Sequence, residues 1–147
     1  MQVLSLNAQG FQVLVPVSMV AQILGTAPLS DPKAELVQSM PFLCGNFQWR
    51  EFQVPLFDIS AMHVSGTAGT SYERMVVVWP LASAGKRGFF ALTSLGPPRV
   101  VDINENSLAG HLPDFKYMSG SVNLPDGLGI VPDLQKLSDQ YFVTGAA

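Results

Sequence analysis

Hydrophobic and polar residues alternate along most of this chain, in short runs separated by Gly, Pro, Asn and Ser. Such alternation is typical of β-strands that bury one face. Strands are predicted at Met1–Leu6, Phe11–Val17, Asn46–Trp49, Phe52–Ile59, Met75–Pro80, Phe89–Leu92, Arg99–Ile103, Tyr117–Asn123 and Leu128–Val131. Short strands with this punctuation predict an all-β protein built as small barrels, in which closure of the sheet removes exposed edges.

The alternation is interrupted once between two neighbouring strands, where Arg50 and Glu51 follow Trp49 and precede Phe52. This pattern predicts a tight hairpin with the two charged residues at its bend. Because a bend lies at the surface, we expect Arg50 and Glu51 to be presented to solvent rather than packed.

Helix signals are few. The segment 17–25 could form one helical turn before Gly25, and the Ser-Asp-Pro start of 30–40 suits a short helix. Pro132 and Asp133 predict a further helical turn near the C-terminus in the same way. The Gly-, Ser- and Thr-rich run 64–73 is expected to be a mobile loop between two halves of the chain.

An internal repeat emerges when the chain is shifted against itself by about 75 positions. The shift places Gly45, Phe47, Trp49, Asp58 and Ile59 over Gly120, Val122, Leu124, Asp133 and Leu134. It also places residues 11–20 over residues 86–95. Because one shift aligns two separate pairs of strands, the sequence predicts a duplication that gives two similar β subdomains.

Composition narrows the classes of partner. The 147 residues suit a single domain, 1–147, in which 48% are hydrophobic and only 13% are charged, against a usual ~25% charged. The apolar excess favours a protein partner that covers it. The net charge of −3 and the scattered Lys and Arg residues provide no basic stripe, so nucleic acid is not an expected partner.

Neither membrane insertion nor secretion is indicated. The chain has no apolar run of ~18 residues, and the first basic residue is Lys33, so a positively charged leader is absent from the start. The lone Cys44 is expected to be a small buried hydrophobe in a reducing compartment. These features predict a cytoplasmic protein.

No catalytic constellation is recognisable. His63 and His111 lie far apart without further ligands at metal-binding spacing. Asp58 and Asp133 occupy matching places in the repeat, where each is expected to bond turn N–H groups after a strand. The Gly-rich stretches lack the lysine and the order of a phosphate-binding loop. We therefore expect no enzyme activity, no cofactor and no metal.

Residues 45–59 read GNFQWREFQVPLFDI, and this stretch resembles the signature of the CheW-like domain of bacterial chemosensory systems, G-V-x-N-L-R-G-x-x-[IV]-P-[VI]-x-D-L. Gly45, Arg50, Val54, Pro55 and Asp58 match it. The order and spacing of the other strand blocks resemble the same family over roughly residues 1 to 142.

The resemblance implies two five-stranded SH3-like β-barrels around a shared core, with a groove between them and a few short helical turns. Their bounds are expected near 15–80 and 81–130, with the chain termini completing the barrels. It further implies an adaptor that links the cytoplasmic tip of a methyl-accepting chemoreceptor to a CheA-type histidine kinase. Such two-component signalling controls chemotaxis or pilus-type twitching motility.

Two contact surfaces follow from the resemblance. The receptor groove is expected to contain Val20, Gln22, Arg50, Glu51 and Leu95. The kinase surface is expected on the exposed side of one strand, at Phe52, Val54 and Leu56. Three positions depart from the family pattern, because Glu51 replaces a Gly and Gln22 and Thr93 replace acidic residues.

Two other functions stay open. The departures would suit a CheW-like modulator that has lost coupling to the kinase. A generic SH3-like module that binds peptides or RNA is the alternative from another class, and the absence of a basic groove argues against RNA.

Overall fold

A computed structural model of the protein describes residues 1–32, 40–64, 71–81, 88–110 and 112–145. These ranges contain ten strands: β1 Gln2–Asn7, β2 Gln12–Pro16, β3 Val20–Leu24, β4 Leu43–Trp49, β5 Phe52–Phe57, β6 Arg74–Val78, β7 Phe90–Ser94, β8 Arg99–Asp102, β9 Met118–Leu124 and β10 Gly127–Pro132. Short 3₁₀ turns lie at Val17–Met19, Ile59–Met62 and Glu105–Ser107, and one α-helix, α1, spans Leu134–Asp139 and continues as a π-helical segment, Gln140–Gly145.

The strands form two five-stranded sheets. Sheet A has the order β8-β1-β2-β10-β9, and sheet B has the order β3-β6-β7-β5-β4. Neighbouring strands are antiparallel except for the parallel pairs β2 with β10 and β7 with β5. The predicted fold class, all-β with two five-stranded units and a few helical turns, is confirmed.

The two sheets repeat the same pairing scheme. The hairpin β4–β5 pairs Gly45 with Leu56, and the hairpin β9–β10 pairs Gly120 with Val131, which is the alignment that the repeat predicts. The second predicted alignment, of residues 11–20 with residues 86–95, is displaced by two residues in the structure. The shift of 75 places Leu92 over Val17, whereas the pairing of the strands makes Leu92 equivalent to Val15. The internal repeat is therefore also a repeat of structure.

The repeats exchange strands between the sheets. Each repeat contains five strands, and its first two join the last three of the other repeat, so β1 and β2 lie with β8 to β10 and β6 and β7 lie with β3 to β5. The predicted boundary near residue 80 therefore does not separate the sheets, because β7 lies beyond it and belongs to sheet B.

The helical turn predicted in the segment 17–25 is present at the start of the segment. Only Val17–Met19 forms a helical turn, and the rest is strand β3. The strand escaped the alternation pattern because it is an edge strand whose side chains are all at least partly exposed. The predicted C-terminal turn is confirmed as α1. The predicted helix in 30–40 and the predicted loop at 64–73 fall largely on residues 33–39 and 65–70, which lie outside the described residues.

Three groups of buried side chains hold the sheets together. The largest lies between the sheets and joins Leu6 and Val13 of sheet A to Phe57 and Leu92 of sheet B. A second core inside sheet B comprises Phe47, Trp49, Val54, Leu56, Met75, Val77 and Ala91. A smaller core inside sheet A comprises Val3, Leu14, Ile103 and Val122. The core inside sheet B contains aromatic side chains, Phe47 and Trp49, whereas the described residues of the core inside sheet A include none.

Candidate protein-docking surface

The β4–β5 hairpin presents two charged residues at its bend. Trp49 pairs with Phe52, so Arg50 and Glu51 alone form the connection, and both are exposed. Arg50 has a φ of 55°, the left-handed conformation that costs a non-Gly residue ~1–2 kcal/mol. The side-chain amide of Gln48 donates to the Arg50 carbonyl at 2.6 Å and steadies the bend. The left-handed residue is Arg50, so Glu51 can replace the family's Gly without strain from a positive φ.

Four aromatic side chains surround this bend. Phe89 has its ring centroid 4.8 Å from that of Trp49, 5.0 Å from that of Phe52 and 5.5 Å from that of Trp79. The four lie together because they are located at the ends of β4, β5, β6 and β7, and these four strand ends are neighbours in sheet B. Phe52 is 40% exposed and Trp79 is 47% exposed. We name this surface, Trp49, Phe52, Trp79 and Phe89 with Arg50, the aromatic end.

Arg50 and Gln22 bind to the same indole. The guanidinium carbon of Arg50 lies 4.5 Å from the Trp49 ring centroid, a cation–π contact. The Trp49 Nε1–H donates to Gln22 Oε1 at 3.0 Å. Because Gln22 lies on β3 and Trp49 on β4, the two edge strands of sheet B, this hydrogen bond links the edges of the sheet. Gln22 thus provides the acceptor for a buried Trp.

A backbone crossing closes each sheet in the same way. Ser30, which follows β3, bridges to Asn46 of β4, and Ala109, which follows β8, bridges to Ser121 of β9. The crossing chain passes so close to Gly45 that a Cβ there would lie 2.4 Å from the Ser30 carbonyl oxygen. The signature glycine is therefore required by the closure of sheet B.

The two matching aspartates are structural, as predicted. Asp58 begins the Ile59–Met62 turn, where its carboxylate accepts a hydrogen bond from the Ser60 backbone N–H at 3.0 Å. Asp133 caps α1 by accepting from the Lys136 backbone N–H at 3.0 Å. Burial, helped by the charge of Asp58, raises the pKa of Cys44 to about 12, so the thiol stays protonated and unreactive near neutral pH.

The residues predicted to form the receptor groove do not all lie at one end of sheet B. Val20 pairs with Val78, which pairs with Phe90 at the start of β7, whereas Leu95 follows the other end of that strand. Five residues of strand separate the two levels by roughly 16 Å at ~3.3 Å per residue. Gln22, Arg50 and Glu51 do lie close together, at the aromatic end.

The predicted kinase surface also needs correction. Val54 and Leu56 are fully buried in the core of sheet B, since alternation turns them inward with Phe47 and Val77. They cannot contact a partner. Phe52 lies on the same face but at the end of the strand, beyond the core, and it is the member of this group that reaches the surface.

Sequence reasoning missed Trp79 and Phe89. Both lie inside predicted strands and directly beyond the observed β6 and β7, and they meet only because β6 pairs with β7. A second apolar surface lies between the sheets, where a recess of about 270 Å³ is lined by Pro16, Met19, Leu81, Val131 and Leu134, with Asp133 and Gln135 among its polar residues. Because Val20 follows Met19 in the chain, this recess is the apolar surface next to Val20.

Across the described ranges, no three His, Cys, Asp or Glu side chains come together as a metal site. Nor does any helix in that part of the chain have the length and apolar character needed to cross a bilayer.

Comparison with known proteins identifies the family. The profile of the CheW-like domain matches residues 2–141. Among similar solved structures is the scaffolding protein TtCheW from Thermoanaerobacter tengcongensis, which superposes with a TM-score of 0.73 at 18% sequence identity, over 98% of this chain and 89% of that chain. No curated protein sequence shows significant similarity. The chain therefore belongs to the family of CheW-like domains.

Proposed function

We propose that the protein is a non-catalytic adaptor that couples the signalling domain of a methyl-accepting chemoreceptor to a CheA-type histidine kinase in the cytoplasm, in chemotaxis or pilus-type motility signalling. The observation that carries this proposal is the match of the CheW-like domain to residues 2–141, nearly the whole chain. The similar solved structure, TtCheW, is named a scaffolding protein, and this supports the proposed adaptor function. Partner identity rests on the general role of the family.

The aromatic end is the surface we assign to the kinase. Exposed Trp and Phe side chains held rigidly by neighbouring rings are typical of the residues that dominate binding energy in protein interfaces. Trp79 and Phe52 supply the exposed rings, and Phe89 and Trp49 support them from beneath. Arg50 lies at the rim, where a charge chiefly tunes association rate and specificity.

The recess between the sheets is the surface we assign to the receptor. A chemoreceptor tip is helical, and an amphipathic helix binds by placing its apolar face into an apolar groove. Met19, Leu81 and Val131 provide such a lining, and Asp133 and Gln135 supply polar groups for the flanks of the helix. This assignment moves the receptor surface away from Arg50 and Leu95 but keeps it beside Val20.

Calorimetric titrations with the receptor signalling domain and with the kinase regulatory domain test both assignments. We expect Trp79→Ala to weaken kinase binding tenfold or more, as loss of a central aromatic contact does, and to leave receptor binding unchanged. Met19→Ser should have the opposite selectivity. Val100→Ala, which removes a side chain that is 58% exposed on sheet A, is the control and should alter neither affinity.

The outcomes separate the candidate functions. Binding of the receptor without the kinase would indicate a modulator that has lost kinase coupling. Failure of the wild type to bind either domain would refute the adaptor, and would leave a peptide-binding module as the function to test. Circular dichroism of each variant confirms that a loss of affinity does not come from unfolding.

A further inference from the structure

The aromatic end has an equivalent on sheet A with a different chemistry. Asn7 pairs with Gln12 at the end of β1–β2. These two residues are equivalent to Trp79 and Phe89, which lie one position beyond the Val78–Phe90 pair of β6–β7. The β9–β10 hairpin likewise places Asp126 and Gly127 where sheet B has Glu51 and Phe52. The end of sheet A therefore has small or polar residues at the positions of three of the four aromatic rings of sheet B.

A recess occupies the space that those rings fill in sheet B. It measures about 360 Å³ and is lined by Asn7, Ala8, Gly10, Phe11, Gln12, Asp126 and Gly127. Gly127 has no side chain to fill it, and the left-handed Gly10, with a φ of 89°, keeps the β1–β2 turn narrow. The volume is sufficient for a small polar group together with the chain that carries it.

Gln12 gives this recess a specific hydrogen-bonding function. Gln12 is only 7% exposed, and its Oε1 accepts a hydrogen bond from the Ser5 hydroxyl at 2.5 Å. The Gln12 side-chain NH₂ donates to no acceptor among the described residues. Its nitrogen is also not among the fully buried polar atoms of those residues that lack a hydrogen-bond partner. Because Gln12 lines the recess, a group bound there is a candidate acceptor for this NH₂. A mostly buried donor without a partner favours a ligand that accepts from it.

The other polar groups limit what can bind. Asp126 lines the recess and its carboxylate pairs with Arg99, and the Asn7 amide donates to the Pro97 carbonyl at 3.4 Å. A carboxylate ligand could accept from Gln12 but has no donor for Asp126, and an ammonium ligand has no acceptor for the Gln12 donor. A neutral amide has both an acceptor for Gln12 and a donor for Asp126.

We propose that this recess is a binding site for a neutral amide group, such as a peptide bond or an Asn or Gln side chain, with Gln12 as its donor and Asp126 as its acceptor. The site goes beyond the proposed adaptor function and does not depend on it. The two ends of the molecule thus bind different chemistry, apolar surface at sheet B and an amide at sheet A.

Two-dimensional ¹⁵N NMR titration of the full chain with N-acetylglycinamide tests the site. We expect saturable shifts of the Gln12 side-chain NH₂ signals and of the Gly10 and Gly127 backbone signals. Gln12→Glu keeps an acceptor for Ser5 but removes the donor, so it should weaken binding about tenfold, as expected for one buried hydrogen bond and a new repulsive charge. Gln53→Glu makes the same chemical change at an exposed position and should leave binding unchanged.

A second arm with sodium acetate checks the chemistry, since a carboxylate should not produce saturable shifts. Shifts that stay linear with N-acetylglycinamide concentration, or equal affinities of wild type and Gln12→Glu, would overturn the proposal. If N-acetylglycinamide binds, the protein is then titrated with the kinase regulatory domain and with the receptor domain. A domain that supplies the amide should shift the same signals of Gln12, Gly10 and Gly127. Loss of the adaptor function would not affect the first two arms.

Discussion

Substituting Gly45 by Ala should destabilise the protein far more than the same substitution at Gly120, its equivalent in the repeat. Gly45 has a φ of 149°, in the range that favours Gly, and an added Cβ would lie 2.4 Å from the Ser30 carbonyl oxygen. Gly120 is not among the described glycines with positive φ, and its Cβ would lie 3.3 Å from the Ala109 carbonyl oxygen. The pair compares one substitution at two similar closures.

The expected magnitude follows from the contacts. A non-Gly residue held at an unfavourable positive φ costs ~1–3 kcal/mol. The Ser30 carbonyl must also move away, which weakens its hydrogen bond from the Asn46 N–H, now 3.1 Å, and that loss adds ~0.5–1.5 kcal/mol. Gly45→Ala should therefore reduce the free energy of unfolding by about 2–4 kcal/mol. Gly120→Ala should change it by less than about 1 kcal/mol, because a contact slightly below the usual distance can relax.

Urea unfolding followed by the fluorescence of the two tryptophans, Trp49 and Trp79, measures both values. Since Gly45 precedes Trp49 on the same strand, the Gly45 variant should also show a changed native emission spectrum. If both variants lose the same stability to within about 0.5 kcal/mol, the close approach of Ser30 does not explain the signature glycine, and the closure argument is refuted.

Three further predictions concern residues that lie in or next to the strands of sheet B. Gln22→Leu removes the acceptor of the Trp49 N–H and should cost about 1 kcal/mol in urea unfolding, whereas Gln22→Glu keeps an acceptor and should cost less. Asp58→Ala should cost about 1–2 kcal/mol in the same assay, and Asp58→Asn less, because Asn also caps well. Burial raises the pKa of Cys44 from 9.0 to about 12, so iodoacetamide should modify native protein near pH 9 much more slowly than urea-unfolded protein. Since the unfolded thiol ionises first, stability should fall as the pH rises above 9.0, and Cys44→Ala should lessen that fall.

The strands of the fold were predictable where alternation distinguishes a buried face from an exposed one. The strand β3 was not, because an edge strand reading Val-Ala-Gln-Ile-Leu has apolar spacing that also fits a helical turn. The family signature located the bend at Arg50, yet the same alternation that identified its strand should have placed Val54 and Leu56 in the core. The contact of Trp79 with Phe89, and of Phe89 with Phe52, depends on pairings between distant strands, which one sequence read by itself does not specify.

The exchange of strands between the repeats explains how one small protein can present two different surfaces in a fixed arrangement. The chain passes from sheet A to sheet B between β2 and β3 and returns between β7 and β8, so two covalent connections and a shared core fix the sheets against each other. Residues at the strand ends contribute little to that core, so they can diverge while the pairing scheme stays the same. Phe52 and Gly127 occupy equivalent positions, yet one is an exposed ring and the other borders a polar recess. A duplicated scaffold with unlike ends and an apolar recess between its sheets has the unequal surfaces that an adaptor with different partners requires.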